Sequence, residues 1–310
     1  MASHPFLRVF VVGCSRGGTT VTQRLIADRL HLLTLPETRF FVSLIGNTDR
    51  RMFPETYRPQ GAAQALRMTI RNALGLSSGL EWRNADMIPG PRRRKWSPVA
   101  RIARDFQTGM DHLAQEAQAV GWLEKTPMHV HYTAEIAAHI DNAWFIHVIR
   151  DAQDTVASIW DAAQKYDDPW PIVYDRIERA VDNWNASIAD SAGMVGQPRH
   201  LFVRYSSLTA QPEAVLDQIS QAMGHGTGQA APDREVRSGQ MRSAAGLTSA
   251  RDQAWKGAAT SGQVTPARSK WDSALTPEEQ TRASALIQPL PAALETAMRP
   301  FDLLLAEAAS

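Results

Sequence analysis

A glycine-rich stretch, VFVVGCSRGGTTVTQRLI from Val9 to Ile26, is the first place in this 310-residue chain where residue type and spacing point to chemistry. Successive backbone N–H groups in such a turn, backed by the start of a helix, form a nest for an anion. A nucleoside triphosphatase loop reads G-x-x-x-x-G-K-[ST], with lysine on the β- and γ-phosphates and a hydroxyl on Mg²⁺. Here Gly13 and Gly18 are followed by Thr19 and Thr20, and the lysine is missing. Arg16 supplies instead a planar cation suited to bidentate contact with phosphate or sulfate. A second stretch, IRDAQDTVAS, sets Arg150 at the end of an apolar run and Ser158 eight residues later. These two side chains either converge on one phosphate or stay local, Arg150 pairing with Asp151 or Asp154 and Ser158 standing as a surface hydroxyl. A third, HVHYTAEIAAH, holds His129, His131 and His139, but no recognisable zinc pattern is completed and no metal is assigned.

These groups need elements to position them. Leu7 to Val12 is a β-branched apolar run of the kind buried on both faces of a parallel sheet. Thr19 to Leu33 follows with apolar residues at helical spacing, so strand, loop and helix make one βα unit with the helix start facing the loop. Further strands are expected at 122–123, 144–149 and 201–205, and helices at 98–119, 130–139, 154–165, 170–192, 212–223 and 277–295. That alternation predicts an α/β fold, a central, mostly parallel sheet flanked by helices, in a single domain over 1–310. Loop insertions are expected near 42–98 and 224–268. The first contains MIPGPRRRKWSP, with the basic run Arg92 to Lys95; the second is either a mobile lid or a surface excursion.

Composition narrows the classes. A formal charge of +1 is no field for nucleic acid or an anionic membrane, so an anion site must be local. Cys14 is the only cysteine, which removes intrachain disulfides and cysteine-based metal sites. With no signal-peptide pattern and no run of 18 apolar residues, a cytoplasmic protein without a membrane span is expected.

GCSRGGTT, EKTP in mid-chain and R-D-x-x-D-x-x-x-S after an apolar strand together resemble the signature set of sulfotransferases that use 3′-phosphoadenosine 5′-phosphosulfate. The resemblance implies a P-loop-like fold in which Arg16, Gly17, Gly18, Thr19 and Thr20 surround the 5′-phosphate and the transferring sulfuryl group. It implies that Arg150 and Ser158 recognise the 3′-phosphate. VRYSSLTAQP is similar to the family's "RYEDL...P" segment and SKW at 269–271 to a C-terminal element returning to the donor, which makes Tyr205 and Lys270 contacts. Arg16 and Lys125 of EKTP become candidates for stabilising the bridging and leaving oxygens, since a sulfuryl group carries less charge than a phosphoryl group and needs no lysine and Mg²⁺ pair. Glu37 in LTLPETRFF resembles the general base of the subgroup that includes protein-tyrosine and bacterial carbohydrate and lipid enzymes; otherwise it pairs with Arg39 or caps a helix. His129 and His131 are competitors for that role. Ala152 stands where many members carry proline and Val21 where cytosolic small-molecule enzymes carry tryptophan, which leaves the adenine-stacking residue unassigned.

The reaction implied is transfer of the sulfuryl group to a hydroxyl, or an amine, of a small molecule, lipid, glycan or peptide, releasing 3′-phosphoadenosine 5′-phosphate. Trp82 and Trp96 are the better acceptor-site aromatics, and Arg92 to Lys95 either steers an anionic ligand or forms a solvated face. No nucleic-acid partner is implied, and the oligomeric state is left open, a homo-oligomer included. Two rival readings are an ATP-dependent kinase or NTPase and a catalytically inactive nucleotide-binding scaffold.

Overall fold

The computed structural model describes residues 6–58, 61–78, 88, 97–166, 170–225 and 269–302. The basic run Arg92 to Lys95, Trp82, Trp96 and the segment 226–268 lie outside the described residues. In chain order the main elements are β1 (Leu7–Gly13), α1 (Thr19–Leu30), β2 (Leu33–Thr34), α2 (Phe40–Ile45), α3 (Thr48–Met52), α4 (Ala62–Ala73), α5 (Val99–Glu116) and β3 (Gly121–Lys125). There follow a 3₁₀ turn (Pro127–Tyr132), α6 (Thr133–His139), β4 (Ala143–Ile149), α7 (Ala152–Lys165), α8 (Trp170–Val173), α9 (Ile177–Gly193), β5 (His200–Arg204), α10 (Tyr205–Ala210) and α11 (Pro212–Ala222). Three helices close the described chain: Trp271–Ala274, Pro277–Leu286 and Ala292–Met298.

All strand pairs are parallel, in the order β2-β3-β1-β4-β5. This confirms the expected α/β fold with helices on both faces. Because β1 sits centrally while the chain continues first to β2 and β3 on one side and then to β4 on the other, β1 borders the crevice where open α/β sheets bind ligands. Register places Val11 against Lys125, Gly13 against Val148 and Ile149 against Arg204, so the carboxyl ends of the strands come out along one edge.

Alternation along each strand divides the core. Leu7, Val9 and Val11 of β1 pack with Leu123, Ile146, Val148 and Val203 against Ile26 and Leu30 of α1 and Val215 and Ile219 of α11. On the opposite face Phe10 and Val12 meet Trp122, Phe145 and the α5 residues Ile102, Phe106 and Met110. Beside them α7 and α9 share a third cluster with Trp271, Leu294 and Met298 from the C-terminal helices.

Several expected boundaries are corrected. The first helix stops at Leu30 rather than Leu33, because His31 turns left-handed (φ 58°) and its N–H closes on Ala27 O. The helix expected at 170–192 is broken between Val173 and Ile177, and that at 277–295 between Leu286 and Ala292, where Pro289 and Pro291 remove amide donors and fix φ. The helix expected at 130–139 opens as a 3₁₀ turn.

Candidate active site

The loop leaving β1 is shaped to present its backbone. Gly17 N–H donates back to Cys14 O at 3.0 Å, and a Cβ at Gly17 would stand 2.8 Å from that same oxygen. Gly18 caps α1 with φ 95°, which favours glycine, and a Cβ there would meet the Tyr205 ring at 2.2 Å. No side chain caps α1, whose first intrahelical amide bond is Thr22 N–H to Gly18 O, so the amides of Thr19 and Thr20 open the helix without a capping acceptor. Beneath the loop, burial pushes the Cys14 thiol up to about 12 against a weaker pull from Ser187.

Two arginines close on this loop. Arg16 Nε donates to Ser158 Oγ at 3.2 Å, and Arg150 Nη1 donates to the Arg16 carbonyl at 3.2 Å. Arg150 and Ser158 thus each touch Arg16, and Arg150 also has the local partner expected for it, lying 3.5 Å from Asp154. Arg150 stands 5.4 Å over the Tyr205 ring, which in turn packs on Gly18. Burial pulls the Arg16 guanidinium below its ordinary value; Tyr166 and Asp161 oppose that shift and Arg150 adds to it. A partly buried cation beside a like charge gains most from an arriving anion. Lys270 pairs with Asp161 on α7, which also holds Lys165 at 2.6 Å, so the C-terminal SKW element is tied to the helix that carries Ser158.

On the other side of β1, Glu37 lies in the loop between β2 and α2 and forms an ion pair with Lys125, the last residue of β3. The lysine side chain is 1% exposed and the glutamate 20%, so the lysine is buried and the carboxylate is the outer member of the pair. Lys125 is therefore no solvated surface lysine. His129, a competitor for the base, is fully buried, with Nε2 accepting the Phe41 N–H at 3.2 Å and Nδ1 2.8 Å from Glu124. His131 engages Asp190 through Nδ1, at 2.6 Å.

Sequence reasoning missed Asp161, and it missed Glu124, Thr38 and Thr126, which bond to one another behind the Glu37 loop. The signal for Glu124 was its place inside EKTP at the end of a buried strand, where a charged residue demands partners. Groups able to hold a dianionic phosphate and a sulfuryl ester thus line one edge: the amides of 18–20, Arg16, Arg150, Ser158 and Lys125. Among the described residues no group of three or more side chains forms a metal site, and no helix is long and apolar enough to cross a membrane.

The profile of a sulfotransferase family matches residues 8–226. No curated protein matches the chain. Among solved structures, the sulfotransferase domain of the Synechococcus PCC 7002 olefin synthase is similar with TM-score 0.49 and 18% identity over 93% of this chain and 97% of that one. The sulfotransferase domain from the curacin biosynthetic pathway gives 0.47 and 15% over 95% and 97%, and a sulfotransferase from Mycobacterium tuberculosis H37Rv gives 0.40 and 16% over 83% and 78%.

Proposed function

The chain belongs to the sulfotransferase family, and on that footing we propose that it moves a sulfuryl group from 3′-phosphoadenosine 5′-phosphosulfate to an acceptor hydroxyl, with Glu37 as general base. The observation that carries this reading is the Glu37–Lys125 pair at the strand edge that also presents Arg16 and the glycine loop. The donor's chemistry fits the residues present. A loop with glycine where a Cβ would strike Cys14 O, an uncapped helix start and two arginines suit a phosphate ester better than a neutral ligand. When bound, the donor supplies an electrophilic sulfur and a bisphosphate leaving group.

The protein's own groups then divide the work. The amides of Gly18, Thr19 and Thr20 cradle the 5′-phosphate beside the turn that Gly17 closes, and Arg16 and Lys125 meet negative charge developing on the bridging oxygen. Arg150 and Ser158, joined through Arg16, take the 3′-phosphate. Tyr205 backs the loop at Gly18, and Lys270 lies within reach of α7 through Asp161. Glu37, paired with Lys125, accepts the acceptor's proton. The acceptor is a hydroxyl-bearing small molecule, lipid, glycan or peptide. A kinase reading is less well served: Thr19 occupies the lysine position, and the Asp151 carboxylate caps α7 by accepting the Asp154 N–H at 3.2 Å.

Isothermal titration tests the donor. Adenosine 3′,5′-bisphosphate is expected to bind without metal and far more tightly than adenosine 5′-monophosphate. Binding of ATP with Mg²⁺ alone would overturn the reading.

A further inference from the structure

Four consecutive amides follow Glu37 in the chain, those of residues 38 to 41, and all of them end on Glu124 or on a group that touches it. Thr38 N–H donates to Glu124 Oε1 at 3.3 Å. Arg39 N–H donates to Thr126 Oγ1 at 3.1 Å, and that hydroxyl donates to Glu124 Oε1 at 2.7 Å. Phe40 N–H donates to Thr38 Oγ1 at 3.1 Å, and the Thr38 hydroxyl donates to Glu124 Oε1 at 2.9 Å. Phe41 N–H donates to His129 Nε2, and the other ring nitrogen stands 2.8 Å from Glu124 Oε2 in a bent contact. None of Thr38, Glu124, Thr126 and His129 is more than 1% exposed.

The amides of 39 to 41 open α2, whose cap residue Arg39 is left-handed (φ 53°) and offers no side-chain acceptor. Helix-start donors need acceptors when buried, and here they find them on β3 and the turn that follows it, 86 to 88 residues away in sequence. An ionised carboxylate presents no hydrogen to these donors, and its Oε1 takes all three of the direct hydrogen bonds. Burial alone would raise the Glu124 carboxyl, but the adjacent His129 and the Thr126 and Thr38 hydrogen bonds outweigh it and keep the group below its ordinary value.

We propose that Glu124 is a positioning residue: through Thr38, Thr126 and His129 it fixes the backbone that follows Glu37 and so holds the Glu37 carboxylate on the Lys125 ammonium. Neighbouring strand residues then grip neighbouring loop residues, Lys125 on Glu37 and Glu124 on Thr38. The proposal rests on the reading of Glu37 as the base only for its catalytic consequence. The geometric claim stands on its own contacts.

The test uses the full chain and Glu124→Gln, which keeps the shape and turns one acceptor into a donor. A water-soluble carbodiimide joins a carboxylate to an adjacent amine, so the yield of the Glu37–Lys125 crosslink, read by peptide mass spectrometry, reports the pair directly. In Glu124→Gln the yield is expected to fall about tenfold and the amides of 38 to 41 to exchange about tenfold faster, as the loss of a buried hydrogen bond implies. Affinity for adenosine 3′,5′-bisphosphate, which is held across β1, should change little. Unchanged crosslink yield and unchanged exchange overturn the proposal. Should Glu124→Gln fail to fold, Thr126→Val removes one relay. It should loosen the Arg39 amide and lower the crosslink, with Thr126→Ser restoring both; a crosslink indifferent to Thr126→Val overturns the proposal too. Failure of the base reading shows elsewhere: Glu37→Gln would then leave unchanged the slow transfer to water, read as bisphosphate formed from the phosphosulfate.

Discussion

At the scale of single residues the two halves of the site make separable demands. Glu37 touches Lys125, whereas Arg150 touches the carbonyl of Arg16 and Asp154. Glu37→Gln should therefore lower turnover by ~10²–10⁴-fold, the usual worth of a positioned base, with bisphosphate affinity nearly kept. Arg150→Ala should mainly weaken bisphosphate binding, as removal of a charge-assisted contact does. Calorimetry beside a turnover assay separates them, and equal loss of affinity in both variants would refute the division of roles. Arg16, Arg150 and Ser158 were legible as candidates because glycine spacing and an R-to-S interval survive as local patterns. The Glu124 network was not legible, since it joins residues 38 to 41 to residues 124 to 129 and leaves no short-range trace.

At the scale of elements, the turn between β1 and α1 depends on one glycine for two distinct reasons. Gly18 has a positive φ, and its missing Cβ makes room for the Tyr205 ring. Gly196 shares the first demand only: its φ is 84° and nothing lies within 4 Å of a Cβ built there. Gly196→Ala should cost about 1–2 kcal/mol, the conformational penalty alone. Gly18→Ala should cost more and should also reduce bisphosphate affinity, because Tyr205 and the loop must part. Urea denaturation and calorimetry on both variants check this, and equal stability losses with unchanged affinity would contradict it. The long apolar strands and α1 were readable from periodicity. Helices α2, α3 and α10 were not, because five or six residues are too short for a 3.6-residue repeat to show and their geometry comes from tertiary partners.

At the scale of the whole molecule, every proposed group except Ser158 and Lys270 leaves the sheet within a few residues of a strand's carboxyl end: the loop after β1, Glu37 after β2, Lys125 ending β3, Arg150 after β4 and Tyr205 after β5. Stability of that sheet has its own pH dependence. His147 on β4 bonds Ser191 at 3.0 Å and His200 on β5 at 2.9 Å. Burial drives His147 well below its ordinary value, with His200 adding to the shift, and brings His200 itself down to about 4. Unfolded histidines take up protons near pH 6.5, while the folded pair stays neutral until about 4. Between those limits the unfolded chain binds more protons, so the pair's contribution is complete above ~6.5 and declines as pH falls. The urea midpoint should hold steady above neutrality and drop from pH 6.5 toward 4, with a shallower slope in His200→Gln. Equal slopes in the two proteins would remove the pair as the cause.

The lone thiol belongs to the glycine loop itself. Cys14 is buried, its proton held to about pH 12, and it lies directly under the amides assigned to the 5′-phosphate. At neutral pH it is inert while the loop is shut, because the thiolate is the reactive form. Any thiol reagent that does reach it counts excursions in which the loop lifts from the sheet, so the chain carries a built-in clock for the breathing of its own phosphate cradle.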